Sequence, residues 1–213
     1  MLLTMSHGKG NKIHLHIDGE YAITTTEKVW YASPFSDNTE VSEEEWSQFV
    51  DTINFEKMYE RALDLLELRD HSEREILNKL VTKFGPDKKQ QARLVLEKLA
   101  ENGLLDDEHF ARVYAEELIR KKHVSPAGLR AALSAKGVDR KIIDIVVDDA
   151  AIDPVEAINC LLDTKFKGRD LLDEKECDKV ITSLYRLGFM LNDIKTVIGE
   201  RQHKLRMELL EKT

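Results

Sequence analysis

The spacing of hydrophobic residues changes near residue 42, and the change divides the chain into two kinds of structure. Before it, KIHLHIDGEYAITT alternates apolar and polar residues, which is typical of β-strands. The predicted strands meet at Asp18-Gly19, a turn pair that accepts positive φ. Their apolar positions are Ile13, Leu15 and Ile17 on the first strand and Tyr21 and Ile23 on the second. The pattern predicts a β-hairpin, and we expect Trp30 and Trp46 to pack it against helices, since a lone hairpin is marginal in water.

From Ser42 onward the apolar residues follow the 3.6-residue period of an α-helix. Two serine–glutamate pairs, Ser42 with Glu45 and Ser72 with Glu75, have the spacing of a capping box at a helix start. No proline interrupts a helical stripe, and this part of the chain is predicted to form about nine helices.

The helices recur in an internal repeat of about fifty residues. The landmarks that recur are Leu80, Leu133 and Leu184, each followed a few residues later by Gly85, Gly137 or Gly188. We predict three tandem units of three helices, in which the three leucines occupy equivalent core positions. The predicted boundaries are 1–41 for the hairpin region, 42–57 for a connecting helix, 58–104 for repeat 1, 105–151 for repeat 2 and 152–213 for repeat 3.

Two adjacent aspartates, Asp106 and Asp107, lie between the last helix of repeat 1 and the first of repeat 2. Gly103, just before them, stands where a helix would end in the left-handed conformation. A carboxylate at this point accepts hydrogen bonds from free backbone N–H groups and suits the positive end of a helix dipole. We therefore predict a cap that joins two repeats. A metal site would need a third ligand, and His109 is the only nearby candidate.

The charges of the chain, −8 in total, are unevenly distributed. Residues 1–56 hold 3 basic and 10 acidic residues, and the rest holds 29 and 30, so the repeats are nearly neutral. Within them, residues 119–141 hold seven basic residues and one acid, whereas residues 142–156 hold five acids and no base. The basic stretch is either a solvated helix face or a strip that meets an acidic partner. A protein that binds bare nucleic acid is normally basic overall.

Candidate catalytic and metal-binding chemistry is sparse. The sequence, 42% hydrophobic and 34% charged, contains no P-loop, no dinucleotide-binding glycine motif and no nucleophile elbow, so we expect a non-enzymatic protein without cofactor or metal. His14 and His16 share a strand face that we expect to be solvated rather than metal-binding. Cys160 and Cys177 have no metal or redox spacing, which favours reduced thiols in the cytoplasm. No apolar run approaches the ~18 residues of a membrane span.

Four segments of the chain resemble the RecX family, the regulators of the RecA recombinase. They are ALDLLELRDHSEREILNKL, VLEKLAENGLLDDEHFARVYAEELIR, LRAALSAKGV and KVITSLYRLGF, and the resemblance covers roughly residues 58–198. It is strongest in Arg69, Ser72 and Glu75, and in GLLDD at 103–107 with the following Phe110 and Ala111.

The resemblance implies a mainly α fold, in which tandem three-helix repeats form a curved, elongated array with a small N-terminal β-hairpin domain. It implies a regulator, as a rule a negative one, that lies in the groove of the RecA–DNA filament and lowers its ATPase, strand exchange and coprotease activities. The expected partner is the RecA filament, with at most weak DNA contact, no membrane, and the protein as a monomer. The predicted partner-binding residues are Arg69, Arg74, Arg112, Arg120, Lys121, Lys122 and Arg130. The alternatives that stay open are a nucleic-acid-binding helical-repeat protein and a scaffold for another protein.

Overall fold

The computed structural model describes residues 1–211, in which strands come first and helices follow. The strands are β1 (Leu2–His7), β2 (Lys12–Ile17), β3 (Glu20–Thr26) and β4 (Thr39–Glu40). The helices are α1 (Glu27–Tyr31), α2 (Glu43–Leu68), α3 (Glu73–Phe84), α4 (Lys89–Glu101), α5 (Asp107–Lys122), α6 (Pro126–Lys136), α7 (Arg140–Asp149), α8 (Pro154–Asp163), α9 (Glu174–Arg186) and α10 (Leu191–Glu211). A 3-10 turn, Pro86–Lys88, precedes α4. The mainly α fold with a small N-terminal β-structure is confirmed.

The residues divide into two compact units. The first consists of Met1–Asp70 and Ile76–Leu105, and the second consists of His71–Glu75 together with the chain from Asp106 onward. The opening residues of α3 therefore belong with the second unit, although the rest of that helix belongs to the first.

The strands form one antiparallel sheet in the order β3-β2-β1-β4. The predicted hairpin is confirmed as β2 and β3, and both turn residues have positive φ, 50° at Asp18 and 87° at Gly19. The sheet is larger than the hairpin, because β1 pairs with β2 and β4 pairs with β1. The alternation of apolar and polar residues in β1 covers only residues 3–6, which is short for the prediction of a strand.

Strand β3 contains a β-bulge that the sequence does not predict. Leu15 pairs with Ile23 but His16 pairs with Tyr21, so Ala22 is the extra residue of β3. Because of this extra residue, the side chains of Tyr21 and Ile23 lie on opposite faces of the sheet. The expectation that both follow the simple alternation of the returning strand is therefore wrong. Ile23 packs on the core, whereas Tyr21 is 63% exposed and lies beside His14 and His16.

The first unit contains two hydrophobic cores that share helix α2. The N-terminal half of α2 places Phe49 and Ile53 against the sheet, with Trp30 buried and Trp46 partly buried in the same cluster, as predicted for both tryptophans. The C-terminal half places Met58 and other residues against α3 and α4. Helix α2 is therefore continuous across the predicted boundary at 57/58. Its residues before this point pack in the core with the sheet, and those after it pack in the core with α3 and α4.

Each group of three helices in the predicted repeats has a core of its own. The clusters are formed by α2, α3 and α4, by α5, α6 and α7, and by α8, α9 and α10. Leu80, Leu133 and Leu184 are fully buried, one in each cluster, so their prediction as core positions is confirmed.

Candidate partner-binding surface

The two adjacent aspartates cap two different helices. The Asp106 carboxylate accepts a hydrogen bond from the backbone N–H of His109 at 2.8 Å and caps α5, as predicted. The Asp107 carboxylate instead accepts from the backbone N–H of Glu73 at 2.8 Å, so it caps the start of α3. Burial raises the pKa of Asp107, against the lowering effect of that bond, and the neighbouring charge of Asp106 raises it further. The prediction that both aspartates cap the next helix is therefore wrong for Asp107, whose partner lies 34 residues earlier in the chain.

A buried serine joins the start of α3 to the end of α6, an arrangement that we call the first joint. The Ser72 hydroxyl accepts from the N–H of Glu75 at 3.2 Å and donates to the carbonyl of Lys136 at 2.7 Å. The Lys136 ammonium in turn lies 2.6 Å from the Glu75 carboxylate. Gly137 follows with φ of 82°, and the Arg74 side chain packs so closely over it that a β-carbon would clash. The joint thus fixes one helix start against one helix end.

The second joint repeats this geometry between α6 and α9. The buried Ser125 hydroxyl accepts from the N–H of Gly128 at 2.9 Å and donates to the carbonyl of Leu187 at 2.7 Å. Gly188 follows with φ of 86°, and a β-carbon there would lie 2.9 Å from the Ser125 hydroxyl. At both joints the N-terminus of one helix, the positive end of its dipole, lies against the C-terminus of another, the negative end.

Two of the predicted partner-binding arginines are held by acids of α7. Arg112, on α5, bonds Glu108 and also Asp149 at 2.9 Å, and these bonds raise the pKa of its guanidinium. Arg130, on α6, lies 3.5 Å from Asp144 and 3.3 Å from Asp148. The acidic stretch 142–156 therefore neutralises part of the basic stretch within the repeat itself.

Three consecutive basic residues end α5 and remain on the surface. Arg120, Lys121 and Lys122 are exposed in the last turn of that helix. Lys121 pairs with Glu117 at 2.7 Å, whereas Arg120 and Lys122 form no ion pair in the described residues. These charges suit the negative end of the helix dipole and leave the surface basic at this point.

The seven predicted residues lie at the end of α2, on α3, on α5 and on α6. Arg112, Arg120 and Lys121 line a shared open groove of about 770 Å³ between α5 and α7. Arg74 lies at the first joint in the second unit, whereas Arg69 ends α2 in the first unit and donates to the carbonyl of Asp70 at 2.6 Å. Charge density along the sequence found the α5 cluster, but the pairing of Glu75 with Lys136 has no local signal because 61 residues separate them.

The histidines and cysteines considered as possible metal or redox sites form no such site in residues 1–211. His14 on the sheet bonds the Thr24 hydroxyl at 2.7 Å through Nδ1. Among residues 1–211, no group of three His, Cys, Asp or Glu is placed to hold a metal ion. Cys160 and Cys177 are free, and burial raises the pKa of the Cys177 thiol. Within the same range, no helix has the length and apolar character needed to cross a membrane.

Comparison with known proteins identifies relatives along most of the chain. The model of the family domain described as RecX, second three-helix domain, matches residues 106–147, which contain α5, α6 and most of α7. Regulatory protein RecX of Halorhodospira halophila is 31% identical over 140 residues, covering 66% of this chain and 85% of that protein. Regulatory protein RecX of Clostridium tetani is 26% identical over 194 residues, covering 89% of this chain and 88% of its own length.

A solved structure has the same fold. A crystal structure of regulatory protein RecX superposes with a TM-score of 0.66 at 22% identity, covering 93% of this chain and 98% of that one. The sequence match to the Halorhodospira protein extends over 85% of that relative. The chain therefore belongs to the RecX family of regulatory proteins.

Proposed function

We propose that this protein is a non-enzymatic, negative regulator of the RecA recombinase. It binds as a cytoplasmic monomer in the groove of the RecA–DNA filament and lowers the ATPase, strand-exchange and coprotease activities of RecA. Its relatives are named regulatory proteins, and family membership is the basis for RecA as the partner. No cofactor or catalytic residue takes part in this function.

The observation that carries the proposal is the exposed basic end of α5. Arg112 and Arg130 are already occupied by acids of α7, so their charges are largely neutralised within the repeat. Arg120 and Lys122 have no such partner in residues 1–211. Basic side chains left without internal acids are available to an acidic surface, and arginine can engage a carboxylate through two bonds at once. We therefore assign first importance to Arg120 and Lys122 among the seven predicted residues, together with Lys121 between them, whose internal partner Glu117 is itself exposed.

Repeated modules suit a filament partner. Each exposed ion pair contributes only about 0–1 kcal/mol, so one basic cluster alone would bind weakly. Linked repeats bind the same filament together, and each further contact becomes effectively intramolecular once the first has formed. Arg69 and Arg74 stay proposed as additional contacts on this basis.

Inhibition of the DNA-dependent ATPase of RecA tests the proposal. The full chain is compared with the triple variant Arg120→Glu, Lys121→Glu, Lys122→Glu at two salt concentrations. The wild type should inhibit the ATPase, and the variant should need about 100-fold or more protein for the same inhibition, because three attractions become three repulsions.

A variant matched in charge controls for non-specific repulsion. Lys175, Lys195 and Lys204 are exposed on α9 and α10, and their replacement by Glu changes the net charge by the same amount. This control should inhibit like the wild type, and circular dichroism should show both variants folded. Undiminished inhibition by the α5 variant would remove this segment from the contact surface. Absence of inhibition by the wild type, with salt-sensitive binding to DNA alone, would favour the nucleic-acid-binding alternative.

A further inference from the structure

The two joints differ at one pair of equivalent positions. At the first joint, the position three residues after the serine is Glu75, and the residue before the glycine is Lys136, which pairs with it at 2.6 Å. At the second joint the same two positions hold Gly128 and Leu187. The first joint therefore contains a carboxylate from the chain itself, and the second joint does not.

Because the second joint lacks this carboxylate, one of its backbone N–H groups has no acceptor among the residues that the structure describes. At the first joint, the backbone N–H of Ser72 donates to the Glu75 carboxylate at 3.4 Å. The backbone N–H of Ser125, its equivalent, donates to no acceptor within residues 1–211. A buried N–H group without an acceptor is rare in folded proteins and costs free energy.

A pocket of about 550 Å³ opens beside Gly128 in the second unit, and we call it the joint pocket. Its apolar wall includes Val124, Leu161 and Leu187. Its basic rim includes Lys122, Lys165 and Arg186, with Lys121 and His123 also lining it, and no acidic side chain contributes to the lining. Lys122, Lys165 and Arg186 are exposed and form no ion pair in the part of the chain that the structure describes.

We propose that the joint pocket binds an acidic protein segment, with a glutamate or aspartate at the basic rim and a neighbouring apolar side chain against the wall. The carboxylate supplies at the rim the negative charge that Glu75 supplies beside Lys136 at the first joint. The combination of apolar wall and basic rim favours a peptide over a nucleic-acid backbone, because a phosphate chain offers no apolar group to the wall. The inference rests on the proposed function in one respect, since it takes the occupant to belong to the protein partner.

The test uses a peptide, so its outcome does not depend on RecA. The probe is acetyl-Glu-Leu-Glu-Glu-Leu-Glu-amide, titrated into the isotope-labelled full chain at low salt while the amide signals of Gly128, Thr164 and Gly188 are followed by NMR. The acidic peptide should shift these signals with saturation. A control peptide with glutamine in place of each glutamate should not shift them, because it lacks the charge that the rim recognises.

Two charge-reversal variants separate the pocket from general surface charge. Lys165→Glu with Arg186→Glu should weaken peptide binding at least tenfold, whereas Lys175→Glu with Lys195→Glu should change it less than twofold. Equal binding by both variants, or no saturable shift at the three amides, would overturn the proposal. An eight-nucleotide oligothymidylate that shifts the same amides more strongly than the peptide would overturn it in favour of a nucleic-acid ligand. Inhibition of RecA by the wild type is measured separately, so either idea can fail alone.

Discussion

The second joint predicts that replacing Ser125 by alanine costs more stability than the loss of an ordinary helix cap. The Ser125 hydroxyl makes two bonds at once, accepting from the N–H of Gly128 at 2.9 Å and donating to the carbonyl of Leu187 at 2.7 Å. Ser42, which caps α2, is the matched control, because it bonds only within its own helix start and is exposed.

The expected loss follows from these two bonds. Removal of an N-cap serine costs about 1 kcal/mol of unfolding free energy. The second bond spans 62 residues, and its loss leaves the Leu187 carbonyl, which is part-buried at this bond, without the hydroxyl that donates to it. An unsatisfied polar group of this kind costs about 1–3 kcal/mol. Ser125→Ala should therefore lose about 2–4 kcal/mol in total, and Ser42→Ala about 1 kcal/mol.

Urea unfolding followed by circular dichroism measures both losses in the chain of 213 residues. The dependence of the unfolding free energy on urea should stay the same for both variants, so that midpoints can be compared. Ser72→Ala, at the first joint, should resemble Ser125→Ala. A Ser125→Ala variant that loses no more than Ser42→Ala would refute the role of the joint bond.

The remaining predictions concern the aspartate cap and the repeat cores. Asp107→Ala should lose about 1 kcal/mol in the same unfolding assay, while Asp107→Asn, which keeps an acceptor for the N–H of Glu73, should lose less. Folding raises the pKa of Asp107 above 3.8, so the folded protein is less stable when this carboxylate is ionised. The loss of stability is present at neutral pH. It disappears as the pH falls through the raised pKa and below 3.8, where the carboxyl group is protonated in both states. The wild type should therefore gain stability relative to Asp107→Asn on acidification, and a difference independent of pH would contradict the burial effect. Leu80→Ala, Leu133→Ala and Leu184→Ala should each cost about 2–5 kcal/mol, and a cost below 1 kcal/mol at any one site would be inconsistent with its core packing.

The repeat pattern could be predicted from the sequence because it depends on local periodicity. Leu80, Leu133 and Leu184 recur with nearly constant spacing, and their burial is what a 3.6-residue stripe requires. The capping boxes are equally local, since Ser72 and Glu75 are three residues apart. Such features depend on contacts within one or two helical turns.

The joints could not be predicted because their second partner is remote in sequence. Ser72 and Ser125 each have a local role as a cap, which hides the bonds that they donate to carbonyls 64 and 62 residues away. The same limit applies to Asp107, whose acceptor role at α3 spans 34 residues.

The number of basic residues in a stretch of sequence does not show which of them pair with acids in the folded protein. The sequence predicts a strip of seven basic residues from 119 to 141, but the fold places α7, with its acids, beside two of the predicted arginines. Within this stretch Arg120, Lys122 and Lys141 are exposed and form no ion pair among the described residues.

Co-sedimentation with RecA filaments tests the central claim most directly. The full chain is mixed with RecA, single-stranded DNA and a slowly hydrolysed ATP analogue at physiological salt, and parallel samples omit RecA or DNA. We expect the protein to pellet with complete filaments and to stay in the supernatant with DNA alone, because the repeats are nearly neutral overall. Sedimentation that requires DNA but not RecA, or none with complete filaments, would contradict the proposed regulation of RecA.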